Sequence, residues 1–492
     1  MAGVLWLLCA LSAITACDDY DTFTTDRSAV LLFDRDTVAF DTMFTTIGSS
    51  TQTLVAYNKG DRGLRIASVR LERGAASPFR VNVDGQDLSQ TAQAAAADFE
   101  VRRRDSLIVR IEVTLPHFGD TATHTEEDAL VFTLESGVAQ RVPLSASGLD
   151  AIFMRGHVVE ADTMLTGSQP IVVYDSLVVA PAATLTIASG TTLYFHDGAG
   201  LKVRGRLLAQ GTLEAPVVLR GDRTDHMFDY LPYDRLPSRW EGLTIATSSY
   251  SNELDYVDLH GACFGVACDS SSLEQSTIVL RNCRIHNVGG HGISAQHVQL
   301  TAVNCEVSNT LGHCVYVFGG DVSFAFCTLA QFYPLDARRG DALFVANLMD
   351  EVYRPLICAD FLSCVITGYA DDVIMGSFYD PRTSDLDIND PQQNFLFDHC
   401  FMATVVDDDD PSFIEPQLDD GPATESHEHN FRLLDTHAFI YDFSPVAASR
   451  ICGAASTALA SIVPADRMGR DRTADGKPDA GCYECAGTGA DE

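Results

Sequence analysis

The chain has 492 residues, 68 acidic and 33 basic, for a formal net charge of −35. A charge of that size repels nucleic acid and anionic membrane surfaces, so direct binding to either is not expected. Beyond residue 16 no stretch approaches the ~18–20 uncharged apolar residues of a membrane span, and the length permits two or three domains.

Residues 1–16 are apolar, end in small residues and are too short to cross a bilayer, so they read as a signal peptide. Ile14-Thr15-Ala16-Cys17 resembles the lipobox of bacterial lipoproteins, in which the cysteine becomes the lipid-bearing N-terminus. The resemblance implies export and a membrane partner held through N-terminal acyl chains, each buried CH₂ contributing about 0.8 kcal/mol. No Lys or Arg precedes the apolar run, a departure from the pattern, and a generic secretory signal with an incidental cysteine is the competing reading. Residues 17–26 form an acidic tether. Its Asp18-Asp19-Tyr20-Asp21 resembles the export tag of Bacteroidetes-type surface lipoproteins, which implies a lipid-anchored, surface-exposed place on a bacterial outer membrane.

Residues 27–149 carry seven short alternating runs: Ala29–Phe33, Thr51–Asn58, Leu64–Leu71, Phe79–Val83, Ser106–Thr114, Ala129–Leu134 and Gln140–Ser145. Strands of this length divided by Gly, Asn, Asp and Pro predict a β-sandwich. QTLVAYNKGDRGLRI, DSLIVRIEVTLP and RVPLSASG resemble the immunoglobulin-like modules that precede larger domains in bacterial surface proteins. The charged residues show no catalytic grouping; a spacer is expected, with a glycan-binding module as the second reading.

Residues 150–485 change period. Asn282-Cys283, Asn304-Cys305 and Phe326-Cys327 recur every 22 residues, as do Ile285, Val307 and Leu329; Asn287 and Asn309, then His291 and His313, mark the turns. That step is too short for a βα unit and suits one coil of a solenoid. Strand alternation puts Cys283, Cys305 and Cys327 in an interior column and Arg284, Glu306 and Thr328 in an exterior row. A shift of 26 aligns Leu254, Val257, Leu259 and His260 with Leu280, Cys283, Ile285 and His286, so Asp258 extends the exterior row. Cys364 and Cys400 are expected to rejoin the cysteine column after longer insertions. The expected fold is all-β: an N-terminal β-sandwich followed by a right-handed single-stranded parallel β-helix. GRLLAQGTLEAPVVLRG and RWEGLTI resemble the opening coils of bacterial β-helix proteins of the pectate-lyase-like fold.

Three excursions leave the coils. Residues 222–238 carry Phe228, Tyr230 and Tyr233, which either stack on sugars or pack against the solenoid wall, while Trp240 covers an end or a side of the core. Residues 376–393 and 407–428 are polar and are expected to rim a groove. Asp407, Asp408, Asp409 and Asp410, followed by Glu415, Asp419 and Asp420, form either a solvated acidic loop or a Ca²⁺ site; the loop is preferred because the EF-hand pattern is missing. DRMGRDRTADGKPDAGCYEC resembles the C-terminal motif of bacterial β-helix proteins, with Arg470 and Arg472 expected to pair with Asp471, Asp479 or Glu484 in a loop that closes the solenoid. Residues 486–492 read as a flexible tail. Twelve cysteines follow Cys17; Cys452, Cys482 and Cys485 lie outside the ladder and are the disulfide candidates, and none has zinc-site spacing.

Gly290-His291-Gly292 and Asp371-Asp372 resemble the Gly-His-Gly segment and paired carboxylates of β-helical polygalacturonases, but here the pair follows the histidine instead of preceding it. His291 and His313 read more simply as a stacked turn ladder. A lyase needs a base and a cation for the uronate carboxylate, for which Asp258, Arg284 and Glu306 are candidates, with His260 and His286 as ligand-binding neighbours. The preferred expectation is non-catalytic binding of an extended glycan or another surface ligand along the β-helix. A polysaccharide lyase or hydrolase is second, and a structural or adhesion role in which the partner is a surface protein is third.

Overall fold

The computed structural model describes residues 22–90, 94–228, 230–407, 409–419 and 427–485. Cys17, the signal peptide, most of the tether, Asp408 and the tail 486–492 lie outside the described residues. The chain divides into two compact units, Met1–Asp150 and Ala151–Glu492.

The first unit is a sandwich of two five-stranded sheets. One sheet holds Gln52–Tyr57, Ser106–Val113 and Phe79–Val83, paired antiparallel; the other holds Ala139–Leu149, His124–Leu134 and Leu64–Leu71. Alternate residues of each strand point inward, so Leu54, Ile66, Val69, Val81, Val109, Ile111 and Phe132 fill one core. All seven expected runs contain a strand, the first only as Leu32–Phe33. The sequence reading missed Ala95–Val101, an AAADFEV run poor in β-branched residues, the two-residue Gln86–Asp87, and Val38–Phe44, which pairs parallel with Ala139–Leu149.

The second unit is a parallel β-helix. Its 26-stranded sheet runs from Ile152–Val159 to Gln417–Leu418, each strand pairing in parallel with the equivalent strand of the next coil. Arg284, Glu306, Thr328, Val365 and Phe401 occupy one register, which places Cys283, Cys305, Cys327, Cys364 and Cys400 in a single buried column. The earlier coil joins with the expected shift: Leu254 faces Leu280 and His260 faces His286. Beside the thiols runs an interior stack of Phe324, Phe361, Phe397 and Phe413, with ring centroids 5.2, 5.1 and 5.0 Å apart. These separations track the ~4.8 Å spacing of neighbouring strands, and truncating Phe361 to Ala is expected to cost about 3–5 kcal/mol. Trp240 lies inside the core, stacked on Phe195 at 4.3 Å, with Nε1 donating to the His260 carbonyl at 2.8 Å.

One corner repeats a left-handed residue: Asn282, Asn304, Phe326, Ser363 and His399 have φ between 51° and 55°. Asn accepts this conformation at low cost; the later coils impose it on residues that do not favour it.

The C-terminal segment corrects one expectation. Residues 427–485 fold back along the side of the solenoid. Phe431, Tyr441, Phe443, Ile451, Cys482 and Tyr483 build a second core against the outward faces of Ala330, Val365 and Phe401. The row expected to face water is therefore covered in part: Glu306 is 1% exposed and Thr328 2%. Arg472 pairs with Glu484 at 2.5 Å, donates to Asn304 Oδ1 at 2.9 Å and lies over the Phe326 ring at 3.9 Å. Cys452 and Cys485 form a disulfide that staples this arm, while Cys482 is a buried free thiol.

Candidate functional site

Two assemblies on the β-helix bring chemistry-bearing side chains together. The first lies on the strands Val257–His260, Arg284–Val288 and Glu306–Thr310, whose outward residues align coil by coil as Asp258, Arg284 and Glu306, and as His260, His286 and Ser308. Asp258 Oδ1 lies 2.6 Å from His260 Nδ1 and 3.2 Å from His286 Nε2. His260 Nε2 reaches Asp234 Oδ1 at 2.8 Å, and Arg220 contacts that same oxygen at 2.8 Å. Arg284 Nε donates to Glu306 Oε1 at 3.1 Å, Ser308 donates to it at 2.9 Å, and Tyr483 donates to Oε2 at 2.5 Å.

Charge balance sets the protonation of this network. Burial disfavours the His260 cation, but Asp258 and Asp234 outweigh it and hold the imidazole up to about 9. Burial and the Arg284 cation lower His286. Burial pushes the Asp258 carboxyl up, and His286 and His260 more than reverse that, leaving it well below its ordinary range. Asp258, His260 and His286 offer one donor atom each within 4.8 Å of one another, so this group has the donors to hold a cation. Cys452, Asp479 and Cys485 also converge, but there the two sulfurs are bonded to each other.

The second assembly is an aromatic ladder at the next corner. Gly290-His291, Gly312-His313 and Gly340-Asp341 stack as successive turns, and a Cβ on Gly312 would come within 2.7 Å of His291 Nδ1. The close approach permitted by glycine lets His291 and His313 lie parallel, with centroids 5.3 Å apart. Tyr316 stacks on His291 at 4.8 Å, Phe344 on His313 at 4.9 Å, and the two rings on each other at 5.3 Å. The His313 backbone N–H donates to His291 Nδ1 at 3.0 Å and the Asp341 N–H donates to His313 Nδ1 at 2.9 Å. A ring nitrogen that accepts carries no proton, so both imidazoles are neutral with hydrogen on Nε2. Burial, with the neighbouring His313, lowers His291 to about 4.

Other expected site residues separate. Phe228 and Tyr230 are exposed and stacked at 5.8 Å, and Tyr230 lies on His437 at 4.5 Å. Tyr233 instead packs beneath Arg223 at 4.0 Å. Asp372 joins the turn column one coil after Asp341, which puts it about 14 Å from His291 at ~4.8 Å per coil; the polygalacturonase-like pair and histidine do not meet. Asp407, Asp409 and Asp410 do not converge into a group of three close donors among the described residues. Asp410 instead accepts from the Ser412 N–H at 2.9 Å.

The sequence reading missed Asp234, Arg220, Tyr316, Phe344 and Asp341. Tyr316 and Phe344 face each other across 28 residues instead of 22, and the lengthened coil hid their alignment. Asp234 sits in the 222–238 excursion, where no periodicity assigns a face. His291 and His313 stack as the turn ladder that the sequence predicts, and the Gly-Asp turn at Gly340-Asp341 was the signal that could have extended it.

No known family profile matches the chain, and no curated protein matches it. Among solved structures it is similar to an ASH/PapD-like domain of human CEP192, at 14% identity over 26% of this chain and 89% of that one, with a TM-score of 0.17. A protein of unknown function from Porphyromonas gingivalis is similar at 13% identity over 27% of this chain and 60% of that one, TM-score 0.17. The catalytic domain of a GH87 alpha-1,3-glucanase in complex with nigerose is similar at 10% identity over 72% of this chain and 82% of that one, TM-score 0.19.

Proposed function

We propose that this is a lipid-anchored cell-surface protein whose β-helix binds an extended, neutral glycan without cleaving it. The observation that carries the reading is the ladder of His291, His313, Tyr316 and Phe344, half-buried rings in stacked register on consecutive coils. Sugar rings present apolar C–H faces that pack on aromatic rings, and neutral imidazoles add Nε2–H donors for hydroxyls without demanding a counter-charge. Contacts repeated at the coil spacing suit a polymer, whose modest interactions sum along its length. The net charge of −35 disfavours an anionic polymer unless a cation bridges it. The anchor rests on Ile14-Thr15-Ala16-Cys17; Cys17→Ser is expected to release the protein from the membrane fraction, and unchanged membrane association would remove this part of the reading.

Cleavage is the second reading, and burial weighs against Glu306, one of the residues considered for it. Glu306, enclosed by Tyr483, Arg284 and Ser308, has no face to offer a sugar. A glycan array probed with and without Ca²⁺, followed by a product assay on every hit, tests the whole. Binding without turnover, weakened roughly tenfold in Tyr316→Ala by the loss of about 1.4 kcal/mol of ring contact, is expected. Turnover would install the lyase or hydrolase reading, and silence across a broad array would return the protein to a structural or adhesion role.

A further inference from the structure

We propose that Asp258, His260 and His286 form a binding site for a divalent transition-metal cation of the Zn²⁺, Co²⁺ or Ni²⁺ class, distinct from the aromatic ladder. Asp258 Oδ1 is shared between His260 Nδ1 at 2.6 Å and His286 Nε2 at 3.2 Å. Three donor atoms thus converge where protons now bridge them. The two rings are stacked, with centroids 4.9 Å apart, and each turns one nitrogen to Asp258 Oδ1.

The surroundings are built as a metal site's are. A ligating imidazole ordinarily gives its other N–H to a carboxylate that fixes the ring and raises its basicity. His260 does so: Nε2 contacts Asp234 Oδ1 at 2.8 Å, and Arg220 pairs with the same oxygen at 2.8 Å. Asp258 Oδ2 faces Arg284 Nη1 at 4.0 Å, which leaves Oδ1 for the imidazoles. Arg284 opposes a cation, but Glu306 pairs with it at 3.1 Å, and the carboxylates of Asp234, Asp258 and Glu306 balance the guanidinium groups of Arg220, Arg284 and Arg467. The cluster is not fully enclosed: the side chains of Asp258, His260 and His286 are 21%, 10% and 13% exposed. Two imidazoles and one carboxylate select a borderline cation; Ca²⁺ and Mg²⁺ prefer all-oxygen sites. When the metal–nitrogen bonds form, the Nδ1 proton of His260 leaves to solvent while its Nε2 proton stays on the Asp234 hydrogen bond, and the His286 ring gives up its Nε2 proton and carries hydrogen on Nδ1 instead.

The test uses the full chain, stripped with EDTA and dialysed, titrated calorimetrically with Zn²⁺ and followed by visible absorption with Co²⁺. The expected result is one saturable equivalent per chain, with weak Co²⁺ bands free of thiolate charge transfer. His286→Ala should abolish the site. Asp234→Asn, outside the donor set, should weaken binding by about 10–100-fold while the Co²⁺ spectrum keeps its shape. A Cys263→Ser variant, which removes the exposed thiol, should bind as the wild type does. No saturable binding, binding undiminished in both His286→Ala and Asp234→Asn, or a spectrum dominated by thiolate charge transfer would overturn the proposal. None of these outcomes bears on glycan binding at the ladder.

Discussion

Tyr483 donates its phenolic hydrogen to Glu306 at 2.5 Å, joining residues 177 positions apart in the chain. The contact closes the C-terminal arm over the middle of the β-helix and converts an outward strand position into a buried one.

Removing that donor leaves a buried carboxylate oxygen without its partner. Tyr483→Phe is expected to lower stability by about 1–3 kcal/mol. In a double-mutant cycle with Glu306→Gln the two losses should fall short of additivity, since both delete one interaction. Additive losses in chemical denaturation would show that the two side chains act independently.

The Cys452–Cys485 disulfide spans 33 residues of the arm. Chain-entropy reasoning assigns such a loop about 3–4 kcal/mol. A Cys452→Ser, Cys485→Ser variant should unfold at lower temperature, and limited proteolysis should cut the arm before the coils. Cleavage first within the coils would contradict the arm's role as the outer layer.

Cys283, Cys305, Cys327, Cys364 and Cys400 are buried, whereas Cys263 is exposed. A thiol reagent applied to the native protein should modify Cys263 rapidly and the five-residue column only on unfolding. Cys305→Ala should cost about 1–2 kcal/mol, less than a Leu→Ala cavity. Rapid native labelling of Cys305 would break the assigned register.

In the N-terminal unit, Asp150 accepts from Thr45 Oγ1 at 2.7 Å and from the backbone N–H groups of Phe118 at 3.1 Å and Gly119 at 2.6 Å. Burial raises the carboxyl, but these bonds and His117 bring it from 3.8 down to about 2. A carboxylate depressed in the folded state adds stability above the unfolded value and loses it on acidification. The contribution should therefore be intact above about pH 4 and disappear as pH falls towards 2. Asp150→Asn should flatten that part of the acid-unfolding profile; an unchanged profile would exclude Asp150 as its source.

The coil architecture was legible where sequence and backbone agreed. Asn282 and Asn304 mark a left-handed corner because Asn tolerates it, so the 22-residue step stood out. Phe326 and Ser363 take the same conformation with no residue preference to announce it. The covering arm left a fainter trace: CTLAQF, CVITGY and CFMAT carry no charged residue on either strand face, as suits sheets buried on both sides. Asp258, His260, Arg284 and His286 were legible as a group because one strand register contains them. Asp234, which positions His260, enters from a single 3-10 turn in the 222–238 excursion and carries no periodic signature.

The arm also works as a gauge of coil number. Arg467 donates to the Asn282 carbonyl, Arg472 to Asn304 Oδ1, and the Gly481 N–H to the Ser363 carbonyl, so one segment touches corners spread over about 14 Å of the solenoid axis. A stack of equivalent coils has no intrinsic length; removing one would leave its neighbours able to pair. Here the deletion of a single coil between 282 and 363 would bring those corners about 5 Å closer than the arm can match. The count of coils in this stretch is thus fixed from outside, by a segment that belongs to none of them.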